Sequence, residues 1–175
     1  MKFRKILIGE LSLKRLMWSL LLIPLLIYLG VGAFAYFFAE RLIFQPQPAV
    51  YRDDEAILKL AAPNGEKISA KFYRNPAAEQ TILFSHGNAE DLGSSGWFFE
   101  ELSRAGFNVF AYDYRGYGTS DGFPSEQNSY EDAEAAYKYL TDELRIPPEK
   151  IIIHGRSLGG AVAAWLASRQ QPGAL

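Results

Sequence analysis

The chain has 175 residues, 18 basic and 20 acidic, with a net charge of −2 and no cysteine. That balance gives no electrostatic footprint for nucleic acid, and the lack of thiols excludes cysteine catalysis, disulfides and cysteine-ligated metal centres. Its two histidines, His86 and His154, offer no basis for a histidine-rich metal centre.

Residues 16–39 carry no charged side chain. About 20 apolar residues suffice to cross a bilayer core. Trp18 and Tyr36 lie near the two ends, where aromatic belts form, and Pro24 is tolerated in a membrane helix because neighbouring groups re-satisfy the freed carbonyl. Lys2, Arg4, Lys5, Lys14 and Arg15 precede the run. The excess of positive charge predicts a single pass with a cytoplasmic N-terminus and everything after Glu40 on the opposite side. Ala33-Phe34-Ala35 is a small-x-small pattern that would suit signal-peptide cleavage. However, the apolar run continues past it and exceeds the about 7–15 residues of a signal peptide's apolar core. The reading is therefore a basic segment at 1–15, a transmembrane helix at 16–39, a linker at 40–55 and a folded domain over 56–175.

Two prolines within 41–50 predict an extended connection. Residues 56–60 and 67–73 alternate as strands, and Pro63-Asn64-Gly65 between them is a hairpin signal. Residues 81–84 form a short apolar strand, 97–104 a helix stopped by Gly106, and 107–112 a further strand. Residues 129–144 read as a helix, with Ser129 and Asp132 resembling a capping box and Tyr130, Ala133, Tyr137 and Leu140 at helical spacing. Pro147-Pro148 separates it from a strand at 151–153, and 161–167 is helix-like. Strands alternating with helices imply βαβ units and a mainly parallel sheet, an α/β fold.

In an open parallel sheet, ligands sit beyond the carboxyl ends of the strands. Three loops follow such ends: residues 86–91, residues 113–118, and Gly155-Arg156-Ser157-Leu158-Gly159-Gly160. The last is a G-x-S-x-G turn between strand and helix, a nucleophile elbow in which crowding demands Gly155 and Gly159 while Ser157 stands on the bend. Ser157 is the candidate nucleophile, and a serine hydroxyl needs a neighbouring base. The N–H of Leu158, the residue after the nucleophile, is a candidate oxyanion donor. Asn88 N–H, in the loop after an earlier strand, is the second, with Gly87 letting the backbone come close to substrate. His86 is read as shaping its own loop, and His154 as packing between the sheet and a flanking helix. Both precede Ser157, whereas in this architecture the base follows the nucleophile in chain order. Arg156 is read as a structural ion pair. No G-K-[ST] follows the elbow, so it is not a P-loop. Gly116-Tyr117-Gly118 lacks the third glycine of a dinucleotide fingerprint.

The segments 84–90, 112–122, 124–126 and 155–160, in that order and spacing, resemble the α/β-hydrolase superfamily and within it the bem46-like and ABHD17/ABHD13-like group of serine hydrolases. The resemblance covers about residues 40–175. It implies the N-terminal half of an α/β-hydrolase fold and an acyl-enzyme at Ser157. The implied partners are the lipid bilayer and a small acyl ester, thioester or peptide substrate, and neither a metal nor an organic cofactor is implied. It also implies a catalytic aspartate and histidine on later strands, so a chain of 175 residues is expected to lack both and to be inactive alone. The alternative is a non-catalytic, membrane-tethered binding or interaction protein.

Overall fold

A computed structural model describes residues 13–175, so Lys2, Arg4 and Lys5 lie outside the described residues. The first element is α1 (Leu13–Ile43), whose most apolar 18-residue stretch has a mean hydropathy of 2.2. At about 1.5 Å per residue it is long enough to cross a bilayer core. It is longer than the expected helix at both ends. A separate compact domain occupies residues Ile43–Leu175.

The domain is built on one five-stranded mixed sheet in the order β1-β2-β4-β3-β5. The strands are β1 (Ile57–Ala61), β2 (Lys67–Tyr73), β3 (Thr81–Ser85), β4 (Asn108–Tyr112) and β5 (Ile151–Gly155). β1 and β2 form the antiparallel hairpin that Asn64-Gly65 announces, with Gly65 at φ 88. β2 is antiparallel to β4, while β4, β3 and β5 run parallel. The helices are α2 (Gly96–Arg104), α3 (Glu126–Lys138), continued by one π-helical turn, and α4 (Leu158–Ala167).

The period-2 alternation of strand side chains divides the core into two layers. Leu83, Phe110, Tyr112, Ile151 and Ile153 face α3 and α4, where Tyr130 stacks on Trp165 at 4.5 Å. Ile82, Phe84, Val109 and Ala111 face α2 through Phe99. At the edge of the sheet, Ala174 bridges to Ile152 in parallel, and its carbonyl accepts the Ile153 N–H at 3.0 Å.

Three expectations are corrected. The cap of α3 is Ser125, whose hydroxyl accepts the Asn128 N–H at 3.0 Å. Ser129 lies inside the helix and donates back to the Ser125 carbonyl at 2.8 Å, and Asp132 is fully buried on Arg115. Both serines begin an S-x-x-polar pattern, and the earlier one wins because a distant arginine claims Asp132. Second, residues 44–55 are not a free linker: Phe44 sits in the core at 7% exposure, and Tyr51 bonds Asp113. Third, His154 stacks on Phe84 at 5.0 Å but is otherwise exposed, because β5 is an edge strand and no helix covers that part of its face among the described residues.

Arg115 holds the α3 side of the domain to the sheet. Its side chain is 1% exposed, and its Nε donates to Asp132 at 2.8 Å while its Nη2 donates to Glu131 at 2.7 Å. The Arg115 backbone N–H also donates to Asp132 at 2.8 Å. Burial pushes the Asp132 carboxyl up to about 6, even against the pull of Arg115. Breaking a buried pair from one side leaves an uncompensated charge and costs about 3–5 kcal/mol. Arg115→Met should therefore lose about that much stability at pH 7 in thermal melts. The loss should shrink toward pH 5, where the orphaned Asp132 is protonated and no longer needs a cation.

Candidate active site

The elbow is built by backbone contact. β3 and β5 are in register to their ends, Ser85 opposite Gly155. α4 then starts so close to them that a Cβ on Gly155 would lie 2.0 Å from the Gly159 carbonyl oxygen. A Cβ on Gly159 would lie 2.1 Å from the Ser85 carbonyl oxygen and 2.6 Å from that of His86. Only glycine fits at either position. Ser157 is forced to φ 53, ψ −117, a region costly for a side-chain-bearing residue. The turn is held by Arg156 N–H on the Ser85 carbonyl at 3.1 Å and by Gly159 N–H on the Arg156 carbonyl at 2.9 Å. The Ser157 side chain is exposed, and its hydroxyl has no hydrogen-bond partner among the described residues.

Leu158 opens α4, so its N–H belongs to the first turn, where helical donors lack intrahelical partners. The neighbouring loop, residues 86–90, leaves β3 directly beside the elbow. Neither the Leu158 N–H nor the Asn88 N–H has an acceptor among the described residues. The Asn88 side chain is fully engaged instead. Its Oδ1 accepts from Tyr117 Oη at 2.6 Å, Gln45 N at 3.0 Å and Ala89 N at 3.1 Å, and its Nδ2 donates to the Ile43 carbonyl. Gly87 differs from its expected part, because the Glu90 carboxylate fills the space beside it. A Cβ there would meet Glu90 Oε1 at 3.0 Å, and the Gly87 N–H donates to Glu90 Oε2 at 2.9 Å.

Glu90 also accepts from Arg156 Nε at 3.1 Å, so one carboxylate ties the elbow to the loop. Arg156 reaches Ser95 Oγ at 3.3 Å and lies over the Phe98 ring at 5.8 Å. This is the structural ion pair that the sequence suggested, now with its partner.

His86 is 1% exposed and shapes its loop. Its Nδ1 lies 2.8 Å from the Gly87 carbonyl, which can only accept, so Nδ1 carries the proton. Nε2 is left as a bare lone pair 3.4 Å from Asp113 Oδ1, with no hydrogen-bond partner. The ring lies between Tyr114 at 4.4 Å and Tyr117 at 5.3 Å. Burial pulls the imidazole down to about 4. Burial likewise pushes the Asp113 carboxyl up to about 7, against hydrogen bonds from Tyr51 Oη at 2.6 Å and Leu92 N at 2.9 Å. Both groups are driven toward neutrality, and a protonated Asp113 suits the lone pair that it faces. Tyr51 carries no motif of its own, whereas Glu90 and Asp113 lie in the loops after β3 and β4 that the sequence singles out, without a role assigned to either.

A serine on a strand-turn-helix elbow, at the carboxyl edge of a mixed sheet with helices on both faces, defines the α/β-hydrolase class. Residues 76–174 match the family model described as serine aminopeptidase, S33, and the chain belongs to that family. It is 46% identical over 113 residues to α/β-hydrolase domain-containing protein 17B of Homo sapiens, an alignment covering 63% of this chain and 39% of that protein. It is 39% identical over 144 residues to α/β-hydrolase domain-containing protein 17C of Mus musculus, covering 81% of this chain and 45% of the relative. The chain thus spans less than half the length of these curated relatives. An α/β hydrolase from Vibrio vulnificus superposes with a TM-score of 0.59 at 30% identity, covering 66% of this chain and 41% of that one. An esterase from Pyrococcus furiosus shares the fold at a TM-score of 0.57 and 22% identity, covering 67% of this chain and 50% of that one.

The two buried groups pull stability in opposite directions. Asp113, raised from 3.8 to about 7, stabilises the fold fully at low pH, and that contribution is lost as pH rises through about 7. His86, lowered from 6.5 to about 4, contributes fully above about 6.5 and loses its contribution as pH falls through about 4. Asp113→Asn removes only the first. Relative to the parent, the variant should gain stability as pH rises from about 4 to about 7. The slope should be on the order of 1 kcal/mol per pH unit, checked by thermal melts of the detergent-solubilised pair. Parallel pH curves for the two proteins would refute the buried, raised carboxyl.

Proposed function

We propose that the whole protein is a membrane-anchored serine hydrolase that cleaves ester, thioester or amide bonds through an acyl-enzyme on Ser157. The observation that carries the reading is the combination at the elbow: an exposed, unbonded Ser157 hydroxyl, the adjoining Leu158 N–H without an acceptor, and a neighbouring loop whose Asn88 N–H also lacks one. Donors held in place before charge develops are the most effective form of transition-state stabilisation, and loss of one typically costs about 3 kcal/mol.

The chemistry follows from these groups. Ser157 Oγ attacks the acyl carbonyl carbon as a base takes its proton. The oxyanion forms toward Leu158 and Asn88 N–H. The C–O, C–S or C–N bond breaks, the leaving group departs with the proton, and water then releases the acyl group by the same steps. The base is a histidine oriented by an acid, both supplied outside residues 1–175. This part of the reading is supported by the two histidines present: His86 is buried with its proton on Gly87, and His154 is stacked on Phe84 at 5.0 Å. Arg156 and Glu90 brace the site and do not react.

The anchor in this reading is α1, and the basic flank ending in Lys14 and Arg15 supports an N-terminus in the cytoplasm and the domain across the membrane. The length of the apolar run, which continues past Ala33-Phe34-Ala35, favours an uncleaved helix. Protease added to intact cells or spheroplasts should digest the domain and spare the N-terminus. Full protection would reverse the topology.

The decisive experiment compares full-length protein with the 175-residue polypeptide. A fluorophosphonate probe should label full-length protein, and Ser157→Ala should abolish labelling and lower ester turnover by at least about 10³-fold. The 175-residue polypeptide should show neither labelling nor turnover. A full-length protein that is folded but unlabelled would favour the membrane-tethered binding protein instead.

A further inference from the structure

We propose that residues 44–51 form a strap whose hydrogen bonds hold the loop carrying Asn88 in its donor geometry, with Tyr51 as the principal positioning residue. The proposal rests on the reading of Asn88 N–H as an oxyanion donor. It adds an element to the site beyond the elbow itself.

The strap is the direct continuation of α1 in sequence. Pro46 and Pro48 fix its φ and remove two N–H donors, so it has no ladder to join. Two of its backbone donors and the Tyr51 hydroxyl go to the oxyanion loop and the groups beneath it. Gln45 N–H donates to Asn88 Oδ1 at 3.0 Å, and Asn88 Nδ2 returns a bond to the Ile43 carbonyl just before the strap. Val50 N–H donates to Asp91 Oδ2 at 2.9 Å, whose other oxygen accepts Ser94 N–H at 2.7 Å. Tyr51 Oη donates to Asp113 Oδ2 at 2.6 Å, and Asp113 Oδ1 accepts Leu92 N–H at 2.9 Å. Phe44, 7% exposed, pins the other end in the core.

The contact is tight throughout. A Cβ on Gly93 would lie 2.9 Å from Val50 Cγ2 and 3.0 Å from Tyr51 Cβ, so the strap lies flush against the loop's far end. Every polar contact of the Asn88 side chain points away from a substrate role: two are to the strap region, one is to Tyr117 and one is to its own turn. The residue therefore has two separate duties. Its side chain is the fastener, and its N–H, left without an acceptor, is what the fastening aims. Because Ala89 sits at φ 59, the turn is strained and keeps its shape only while its surroundings hold it.

The test uses full-length protein carrying Tyr51→Phe, which keeps the ring and removes the hydroxyl. Amide hydrogen exchange should accelerate about tenfold in residues 86–93 and stay unchanged in β3, β4 and α4, the scale of one hydrogen bond to a charged or polar partner. Turnover of a chromogenic acyl ester should fall about tenfold in kcat with KM little changed, the signature of an interaction felt in the transition state. Val50→Pro, which deletes the N–H that Asp91 accepts, should act in the same direction and serves if Tyr51→Phe fails to fold. Unchanged exchange in 86–93, or acceleration spread evenly across the domain, overturns the strap. If the parent protein shows no turnover, the proposed function falls while hydrogen exchange still decides the strap.

Discussion

The approach of α4 to the end of β3 is the constraint from which the rest of the site follows. Two main chains meet at a distance that admits no Cβ, at Gly155 and at Gly159. With the helix starting at the very edge of the sheet, the single residue left to make the bend is Ser157, at φ 53. A side-chain-bearing residue there costs about 1–3 kcal/mol. The neighbouring hydrogen bonds, from Arg156 to Ser85 and from Gly160 to Ser157, offset that cost. The same geometry exposes the serine and leaves the first helical N–H unclaimed. One steric fact thus produces the nucleophile's position and one of its candidate donors together.

At the carboxyl edge of a sheet the strand ladder ends, and backbone donors must find other acceptors. Here carboxylates supply them. Asp113 takes Leu92 N–H, Asp91 takes Ser94 and Val50, Glu90 takes Gly87, and Asp132 takes Arg115. The loops around Ser157 are therefore ordered by side chains that are buried or half-buried and that face the cost of desolvation. That cost appears at the buried groups, in the raised Asp113 and Asp132 and the neutral His86. Glu131, on the same Arg115 as Asp132 but less buried, is drawn below its ordinary value instead.

What the sequence revealed was what is local. The elbow is legible because its G-x-S-x-G spacing is local and Gly155 answers a clash with Gly159 four residues on, and the Asn64-Gly65 hairpin because φ above zero needs such residues. The segment 44–55 is not legible. Its prolines announce an extended chain, but its partners Asn88, Asp91 and Asp113 lie 41 to 62 positions away. The start of α3 was misplaced for a related reason. Ser125 and Ser129 offer the same short pattern, and the choice between them turns on Arg115, which no local window contains. His154 follows three isoleucines and reads as covered, yet strand order, a non-local property, puts it on an open edge.

Strand order also bears on how a base could meet Ser157. Ala174 pairs with Ile152 in the parallel sense, on the side of β5 away from β3, and Gly173 is seated there against the Glu149 carbonyl, where a Cβ would lie 2.1 Å away. A parallel bridge fixes direction: the chain at Ala174 runs in the same sense as β5, whose carboxyl end leads to the edge where Ser157 stands. In open α/β sheets that edge is where ligands bind and where loops from successive strands converge. The elbow, the two unclaimed N–H groups and the direction set by Ala174 all act on one edge of the sheet. The buried His86–Asp113 pair belongs to the loops at that same edge, with the His86 Nδ1 proton engaged by the Gly87 carbonyl.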